Sequence, residues 1–311
     1  MPIAKCPLKM EDNRMERQPL RDSLFACCAY QGDVHDYMGA QIPPHWHHEL
    51  EIFMLDEGEI EAAVSETQFS LQAGQGIFIN ADKLHRIRCL TEKPCRYHSM
   101  VFDPSIISGA AGSAFDIKYT RPFLENGPPA LVLLPEESWK KGVFDAFEEA
   151  FYACSDEPYA FEFTVRHALS QILIRIQQHT GEIVAARPPA LREERLKQMI
   201  VWLDSHYMQP FTLRALAQAV HFSPRECERT FGQLLHTTPQ KYLLRRRILA
   251  AMSLLAHQNL PVIEVAACCG FSNHSYFSKQ FRAATGYTPR EYRSKCQKVW
   301  VSSVIIRVYN A

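Results

Sequence analysis

The sequence predicts an α+β protein of two domains, an N-terminal β-barrel completed by two helices and a C-terminal all-helical domain. Short apolar runs alternate with turn residues at intervals near ten in the first third of the chain, and one helical pattern occurs twice near its end. The charged residues also distinguish the two parts of the chain. Residues 1–189 carry 17 Lys and Arg against 27 Asp and Glu, whereas residues 190–311 carry 17 against 7. A length of 311 residues also suits two domains.

The C-terminal repeat extends from Phe211 to Tyr292. A shift of 49 residues aligns its first half, and a shift of 50 aligns the second. The aligned pairs are Ala217 and Ala266, Phe222 and Phe271, Ser223 and Ser272, Phe231 and Phe281, Pro239 and Pro289, and Tyr242 and Tyr292.

Each copy predicts a helix, a short turn and a second helix, over about 213–235 and 262–284. Ser223 and Asn273 can cap the second helices, and Pro224 suits a first helical position. Apolar residues occupy one face of each second helix, and a polar face is left free. A helix-turn-helix with a polar reading face is typical of a DNA-binding unit. The candidate DNA-binding residues are Arg225, Glu228 and Arg229 in the first copy, and His274, Ser275, Ser278 and Lys279 in the second.

These side chains suit different contacts. Arg225, Arg229 and Lys279 are expected to contact guanine or phosphate, and Glu228 can accept from a cytosine amino group. The remaining three can meet base edges or phosphates, and the sequence leaves that choice open. For every one of the seven, the alternative is a solvated surface side chain. The excess of cations, 17 against 7, is what phosphate neutralisation requires.

The second copy also carries a family resemblance. Residues 269–281, CGFSNHSYFSKQF, followed by residues 285–292, TGYTPREY, closely resemble the signature of the AraC/XylS family of bacterial transcription regulators. The resemblance covers roughly Leu191 to Arg293. It implies seven helices in two helix-turn-helix units, joined by a long helix from Pro239 to His257, with both recognition helices in successive major grooves. His236 departs from the pattern, since the second copy has Gly286 there, and a less regular helix end is expected.

The N-terminal half contains a second motif. Gly39, His45, His47, Glu51 and Gly58 reproduce the first motif of the cupin superfamily at every spacing. The two histidines and the glutamate have the same parity, so on one extended strand they point to one face. The second cupin motif is degenerate: Gly74 and His85 fit, but Asn80 and Asp82 replace the usual Pro and Gly. The predicted strands are Leu24–Tyr30, Glu49–Leu55, Ile60–Val64, Gln68–Leu71, Gly76–Ile79, His85–Cys89 and Tyr97–Phe102.

Two interpretations compete for this motif. Three histidines and a glutamate can hold a divalent transition metal with open positions. Alternatively the same side chains hydrogen-bond an organic effector, as the resemblance to AraC-type sensory domains implies. The interpretation adopted here is an effector pocket formed by His45, His47, Glu51 and His85, with no metal, cofactor or catalysis. Trp46 and Phe53 are expected in the core or pocket wall, and His48 is expected to face outward.

Two helices are predicted after the barrel, from Glu136 to about Cys154 and from Phe161 to His179. The second has an apolar stripe at helical spacing, which is usually core. In the family such helices form the dimer interface, so a homodimer is expected. The predicted division is an arm at 1–20, a cupin-like effector-binding and dimerisation domain at 21–180, a linker at 181–190, a DNA-binding domain at 191–295 and an extension at 296–311.

The ten cysteines show no CxxC spacing, so neither a zinc knuckle nor a disulfide framework is predicted. They are expected to be reduced and mostly buried. No signal peptide or spanning apolar run is recognised, so a cytoplasmic protein without a membrane partner is expected.

The sequence therefore predicts a DNA-binding transcription regulator that is controlled by a small-molecule effector and is not an enzyme. Its expected partners are double-stranded DNA, the effector and a second copy, and RNA polymerase is a further candidate. On the connecting helix, Arg247 is expected to join the two subdomains, and Arg245 or Arg246 to reach phosphate. The alternatives are a metal-dependent cupin enzyme with a DNA-binding appendage, and an interaction module without a DNA role.

Overall fold

A computed structural model describes residues 25–180, 191–235 and 237–295. The chain divides into two compact units between Glu194 and Arg195. The predicted arm at 1–20, the linker at 181–190, the extension at 296–311 and the irregular helix end expected at His236 lie outside the described residues.

The described part of the first unit contains two antiparallel sheets, one of five strands and one of four. All seven predicted strands are present within a few residues of their expected bounds. The strands are β1 (Cys27–Asp33), β2 (Gln41–His45), β3 (Leu50–Leu55), β4 (Glu59–Val64), β5 (Thr67–Gln72), β6 (Gly76–Ile79), β7 (His85–Cys89), β8 (Arg96–Phe102) and β9 (Ala130–Leu133). The strand order is β1-β8-β3-β6-β9 in the five-stranded sheet and β2-β7-β4-β5 in the four-stranded sheet.

Successive side chains of a strand point to opposite faces of the sheet, and here each face contributes to a separate apolar core. In β3, Phe53 and Leu55 join a core between the two sheets, whereas Ile52 and Met54 face the other side of the five-stranded sheet. Successive strand residues point to opposite faces, so a strand buried on both sides is apolar throughout. The five-stranded sheet is therefore the middle layer of the unit.

Helices cover its outer face. The apolar stripe of α4 (Phe161–Thr180) packs into this outer core through Val165, Leu169 and Ile176. Val143 and Phe147 of α3 (Ser138–Asp156) join the same core. The stripe is thus part of the unit's own core, so any helix-to-helix dimer has to use another face. The helices are α1 (Ser105–Ser108), α2 (Arg121–Asn126), α3 (Ser138–Asp156) and α4 (Phe161–Thr180), and a single π turn, Asp116–Thr120, precedes α2.

Two cysteines contradict the expectation that all ten are reduced. Cys89 and Cys95 form a disulfide bond across six residues. They lie at the end of β7 and just before β8, where the chain passes from one sheet to the other. This passage brings their Cα atoms to 6.4 Å, within the range that a disulfide bridges. A spacing of six has no signature in sequence, which is why the pair was not predicted.

The second unit is helical. Two helix pairs flank the long helix α8 (Pro239–His257), and residues 289–295 are helical again. Over residues 191–235 and 237–295 this gives the seven helices that the resemblance implied. The predicted helix-turn-helix units are present with ends that agree within two residues. The helices are α5 (Leu191–Ser205), α6 (Leu213–Ala219), α7 (Pro224–Leu235), α8 (Pro239–His257), α9 (Val262–Cys268) and α10 (His274–Thr285).

Candidate effector pocket and nucleic-acid interface

Four buried polar side chains converge between the two sheets. His45 ends β2 and lies opposite His85, the first residue of β7. Glu51 comes from β3 of the other sheet, and His47 from the connection between β2 and β3. All four are between 1 and 7% exposed, and their ligand atoms lie within 4.8 Å of one another. The fold therefore brings together the four residues of the predicted effector pocket, here called the histidine cluster.

Strand β2 explains how His45 reaches its position. Pro43 and Pro44 have no N–H to donate, and the register of β2 against β7 shifts between Ile42 and His45. Prolines are tolerated here because β2 is an edge strand of its sheet. Irregularities of this kind re-aim a side chain, and this one places the His45 and His85 ring centroids 4.1 Å apart.

Hydrogen bonds fix the protonation pattern of the cluster. In each histidine, Nδ1 is bonded to a backbone carbonyl two residues away. A carbonyl oxygen can only accept, so Nδ1 carries the proton, and in a neutral ring Nε2 is then the atom able to bind a cation. The bonds are His45 Nδ1 to Pro43 O at 2.8 Å, His47 Nδ1 to Glu49 O at 3.0 Å and His85 Nδ1 to Lys83 O at 2.8 Å.

The Nε2 atoms face the carboxylate. Glu51 Oε2 lies 3.3 Å from His47 Nε2 and 3.2 Å from His85 Nε2. Although it is buried, His85 Nε2 has no partner in hydrogen-bonding geometry within the described residues. Burial raises the pKa of Glu51, but the adjacent His47 and His85 lower that pKa more, so it lies well below its ordinary value. Burial, reinforced by His85 and His47, holds the pKa of His45 well below its usual range. A carboxylate and three imidazoles gathered away from water form an arrangement that a cation stabilises.

One part of the sequence interpretation was wrong. His45, His47 and Glu51 do not share one strand, because β2 ends at His45 and β3 begins at Leu50. The glutamate shares its face with Phe53, as strand parity requires, but a turn supplies His47. Trp46 and Phe53 are buried as expected, and His48 is exposed. Sequence reasoning missed Glu49, whose buried carboxylate lies 3.8 Å from His47 Nδ1.

The degenerate second motif still forms its turn. Asp82, where the cupin pattern has glycine, takes a left-handed φ of 58°, and its N–H donates to His47 O at 2.8 Å. Aspartate tolerates this conformation better than most residues. Its carboxylate meets His48 Nδ1 at 2.6 Å. Asn80, where the pattern has proline, donates to Phe123 O at 3.2 Å. The Asp82 N–H and Asn80 bonds hold the segment that leads into His85.

In the second unit, the two reading helices are capped as the sequence predicted. Ser223 Oγ accepts from the Glu226 N–H at 3.2 Å, and the Glu226 carboxylate accepts from the Ser223 N–H at 3.1 Å. Asn273 Oδ1 accepts from the Tyr276 N–H at 2.9 Å. These three bonds satisfy amide groups that the start of a helix leaves free.

The polar faces of these helices are open. All seven candidate DNA-binding residues are exposed except Ser278, which is half-buried. Residues three and four apart share a helix face, and on α7 the exposed stripe continues to Gln233. On α10 it continues to Arg282. Helical spacing could have added both residues to the sequence prediction. Cys227, Phe231, Phe277 and Phe281 are buried on the opposite faces.

Comparison with known proteins agrees with this geometry. Residues 34–101 match the model of a cupin domain, and residues 216–295 match the model of a helix-turn-helix domain. Over 285 residues the chain is 25% identical to an uncharacterized HTH-type transcriptional regulator of Bacillus subtilis, YdeC, and the match covers 91% of this chain and 97% of the relative. The chain belongs to the AraC/XylS family of transcription regulators.

Other relatives match this AraC/XylS-family chain over a smaller share of their length. The transcriptional activator RhaS of Escherichia fergusonii is 36% identical over 117 residues, which is 36% of this chain and 42% of the activator. A crystal structure of an AraC-type regulator from Chromobacterium violaceum is 31% identical over 33% of this chain and 92% of that structure, with a TM-score of 0.32.

Three adjacent arginines of the AraC/XylS-type connecting helix have separate contacts. Arg247 donates to Tyr207 O and to Gln209 O, each at 2.7 Å, and its guanidinium lies 5.8 Å from the Phe271 ring centroid in the second helix-turn-helix unit. This agrees with its predicted joining role. Arg246 lies 3.5 Å from the buried Asp204 carboxylate and stacks on Tyr207, so its charge is engaged inside the unit. A phosphate contact by Arg245 stays a prediction.

Within the described ranges, no helix combines the length and the apolar content needed to cross a bilayer.

Proposed function

We propose that this regulator binds DNA through both recognition helices, and that a ligand held by the histidine cluster controls that binding. The observation that carries the proposal is the convergence of His45, His47, Glu51 and His85 within 4.8 Å inside the N-terminal unit. Three imidazoles and a carboxylate are polar groups that a small apolar core buries only when they are satisfied.

The ligand supported best is a divalent transition metal ion. The cluster supplies three nitrogen atoms and one oxygen atom, a donor set suited to such ions. Each Nδ1–H is already bonded to a carbonyl, which is the outer contact that metal-binding histidines make. The buried Nε2 of His85 lies 3.2 Å from Glu51 Oε2 without reaching hydrogen-bonding geometry to any described residue, which points to the same conclusion. This preference departs from the metal-free pocket that the sequence interpretation adopted.

The Nε2 atoms of His45, His47 and His85 and the Oε2 atom of Glu51 would hold the ion. A bound ion would supply a fixed positive charge, and an open coordination position could receive an anionic oxygen of an organic effector. The metal alone and the metal with an organic acid are thus two forms of one site. We expect sensing without turnover, since the relatives are named as regulators.

The second unit binds the DNA. We infer that Arg225, Arg229 and Lys279 contact guanine or phosphate, that Glu228 faces a cytosine, and that His274, Ser275 and Ser278 meet base edges or phosphates. A ligand can shift DNA binding only if it has different affinities for two states of the protein. RNA polymerase is a further proposed partner once the regulator is on DNA.

A homodimer is part of the proposal. With its apolar stripe buried, α4 still presents Phe163 at 77% exposure and Ile174 at 47%. The two lie three helical turns apart on one face. We infer that a second copy covers this outer face, which would place two DNA-binding units in one particle, in a cytoplasmic protein.

Native mass spectrometry of the purified full chain tests the proposed ligand. We expect a dimer that carries one transition metal ion per chain, and we expect His85→Ala to lose the ion. His48→Ala is the matched control, because His48 is exposed and lies outside the cluster. A metal-free chain with an organic adduct would favour the hydrogen-bonding pocket instead. Metal together with substrate turnover would favour the cupin enzyme.

A further inference from the structure

A second group of ligand atoms lies apart from the histidine cluster. His35, in the 3-10 turn Val34–Asp36, lies beside the disulfide-bonded Cys89 and Cys95, and the three ligand atoms are within 4.8 Å of one another. His35 Nδ1 is 3.9 Å from Cys89 Sγ. This group, here called the cysteine site, contains sulfur, whereas the histidine cluster contains only nitrogen and oxygen ligands.

Backbone hydrogen bonds hold the segments of the cysteine site together. The Val34 N–H donates to Cys95 O at 3.0 Å, and the Cys89 N–H donates to Ala40 O at 3.0 Å. Gly58 packs against the same place with a φ of 92°, and a Cβ there would lie 2.5 Å from Pro94 O and 2.8 Å from Cys95 Sγ. The three ligands are therefore positioned by the strands around them and do not depend on the disulfide alone.

An anion adjoins the site. Asp33 Oδ1 accepts from the His35 N–H at 2.9 Å and from the Cys95 N–H at 3.1 Å, and lies 3.1 Å from His35 Nδ1. A fixed carboxylate beside two sulfurs and an imidazole favours a cation.

We propose that reduction of the Cys89–Cys95 disulfide creates a site for a soft divalent cation such as Zn²⁺, bound by both thiolates and the His35 imidazole. A dithiol reductant gives two electrons and two protons to the disulfide and becomes a disulfide itself. The cation then displaces the two thiol protons. Thiolate and imidazole are the ligands that zinc prefers, and water or Asp33 can take the fourth position.

The spacing suits this chemistry. With Zn–S near 2.3 Å and Zn–N near 2.0 Å, the sulfur and nitrogen ligands of a tetrahedral ion lie about 3.6 Å apart. The 3.9 Å between Cys89 Sγ and His35 Nδ1 needs only a small adjustment. The two sulfurs, which reduction releases from their bond, must separate to about 3.8 Å to bind the same ion. The oxidised disulfide has no thiolates to offer, so the disulfide and the metal-bound state exclude each other.

Co²⁺ binding to the full chain tests the proposal, because only thiolate ligands give cobalt its near-ultraviolet sulfur charge-transfer absorption. The protein is reduced with dithiothreitol, freed of reductant under anaerobic conditions and titrated. We expect the absorption to saturate at one Co²⁺ per chain beyond any Co²⁺ taken by the histidine cluster, which has no thiolate and gives no such band. It should disappear on adding Zn²⁺ and be absent before reduction. Cys95→Ser should abolish it, and Asp33→Asn should weaken Co²⁺ binding about tenfold. Cys27→Ser, which removes a thiol elsewhere in the unit, should leave it unchanged.

Alkylation mapping of the reduced wild-type protein gives a test that needs no variant. Zn²⁺ should slow alkylation of Cys89 and Cys95 but not of Cys268, which is exposed in the second unit. Equal alkylation with and without Zn²⁺ would overturn the proposal. So would a reduced wild type without the cobalt absorption, or an absorption that persists in Cys95→Ser.

Discussion

The two helix-turn-helix copies share a backbone and differ in chemistry. Both turns place one residue in the left-handed region, at φ 55° for His221 and φ 77° for Gly270. These residues occupy the same position of the repeat, 49 apart. The reading face of the first copy carries two arginines and a glutamate, whereas that of the second carries one lysine with hydroxyl and imidazole groups. The turn geometry is thus a property of the motif, while each copy contributes its own recognition chemistry.

The surroundings explain why only the second copy needs glycine. A Cβ at Gly270 would lie 2.6 Å from Tyr207 O and 2.9 Å from Met208 O, both of them backbone atoms. His221 already has a Cβ in the same conformation, so its turn accommodates one. In the second copy, the segment after α5 lies against the turn, and Arg247 bonds to that segment.

The largest expected effect tests this difference. Gly270→Ala adds a methyl group against backbone atoms and forces a left-handed φ on alanine, so it should lower the free energy of unfolding of the second unit by about 3 kcal/mol. His221→Ala is the matched control and should change it by less than about 1 kcal/mol. Chemical denaturation followed by circular dichroism measures both. Equal effects would show that the two turns have the same environment.

DNA contacts give the next comparison. Arg229→Ala should weaken binding to a selected specific duplex by about 1–3 kcal/mol if its guanidinium reads a base. Lys279→Ala, at the corresponding face of the second copy, should weaken specific and random duplexes alike if it neutralises phosphate. Fluorescence anisotropy at several salt concentrations separates the two cases. An equal loss for Arg229→Ala on both duplexes would make that residue a phosphate contact.

Most helices and strands could be predicted from the sequence because the patterns that specify them lie within short segments. Capping side chains and helical spacing set the bounds of α7 and α10, and apolar runs between turns set most strands. Strand β2 was missed because Pro43 and Pro44 argue against a strand, and β9 because four residues after a proline-rich connection form no pattern. The position of His45 depends on a register shift in β2, and that of His47 on the turn after β2. The cysteine site depends on the point where the chain passes from one sheet to the other. No local periodicity encodes these.

The smallest expected effect concerns the helix caps. The Ser223 N–H and hydroxyl donate to the Glu226 carboxylate and lower its pKa. A lowered carboxyl pKa stabilises the folded state above the ordinary value, and that contribution is lost as the pH falls through the lowered pKa. The first turn of α7 should therefore lose amide protection in mild acid more than that of α10, where Tyr276 replaces the glutamate. Hydrogen exchange measures this, and Glu226→Gln should remove the difference.

The most direct test of the account measures DNA affinity while the histidine cluster is emptied and refilled. The full chain is stripped of metal, and its dissociation constant for a selected duplex is measured with and without Mn²⁺, Fe²⁺, Ni²⁺ or Zn²⁺. For at least one ion, we expect a change of about 5- to 150-fold in the wild type and in His48→Ala, and none in His85→Ala. A wild-type affinity that no ion changes, or the same response in His85→Ala, would contradict control of DNA binding by a metal in this cluster.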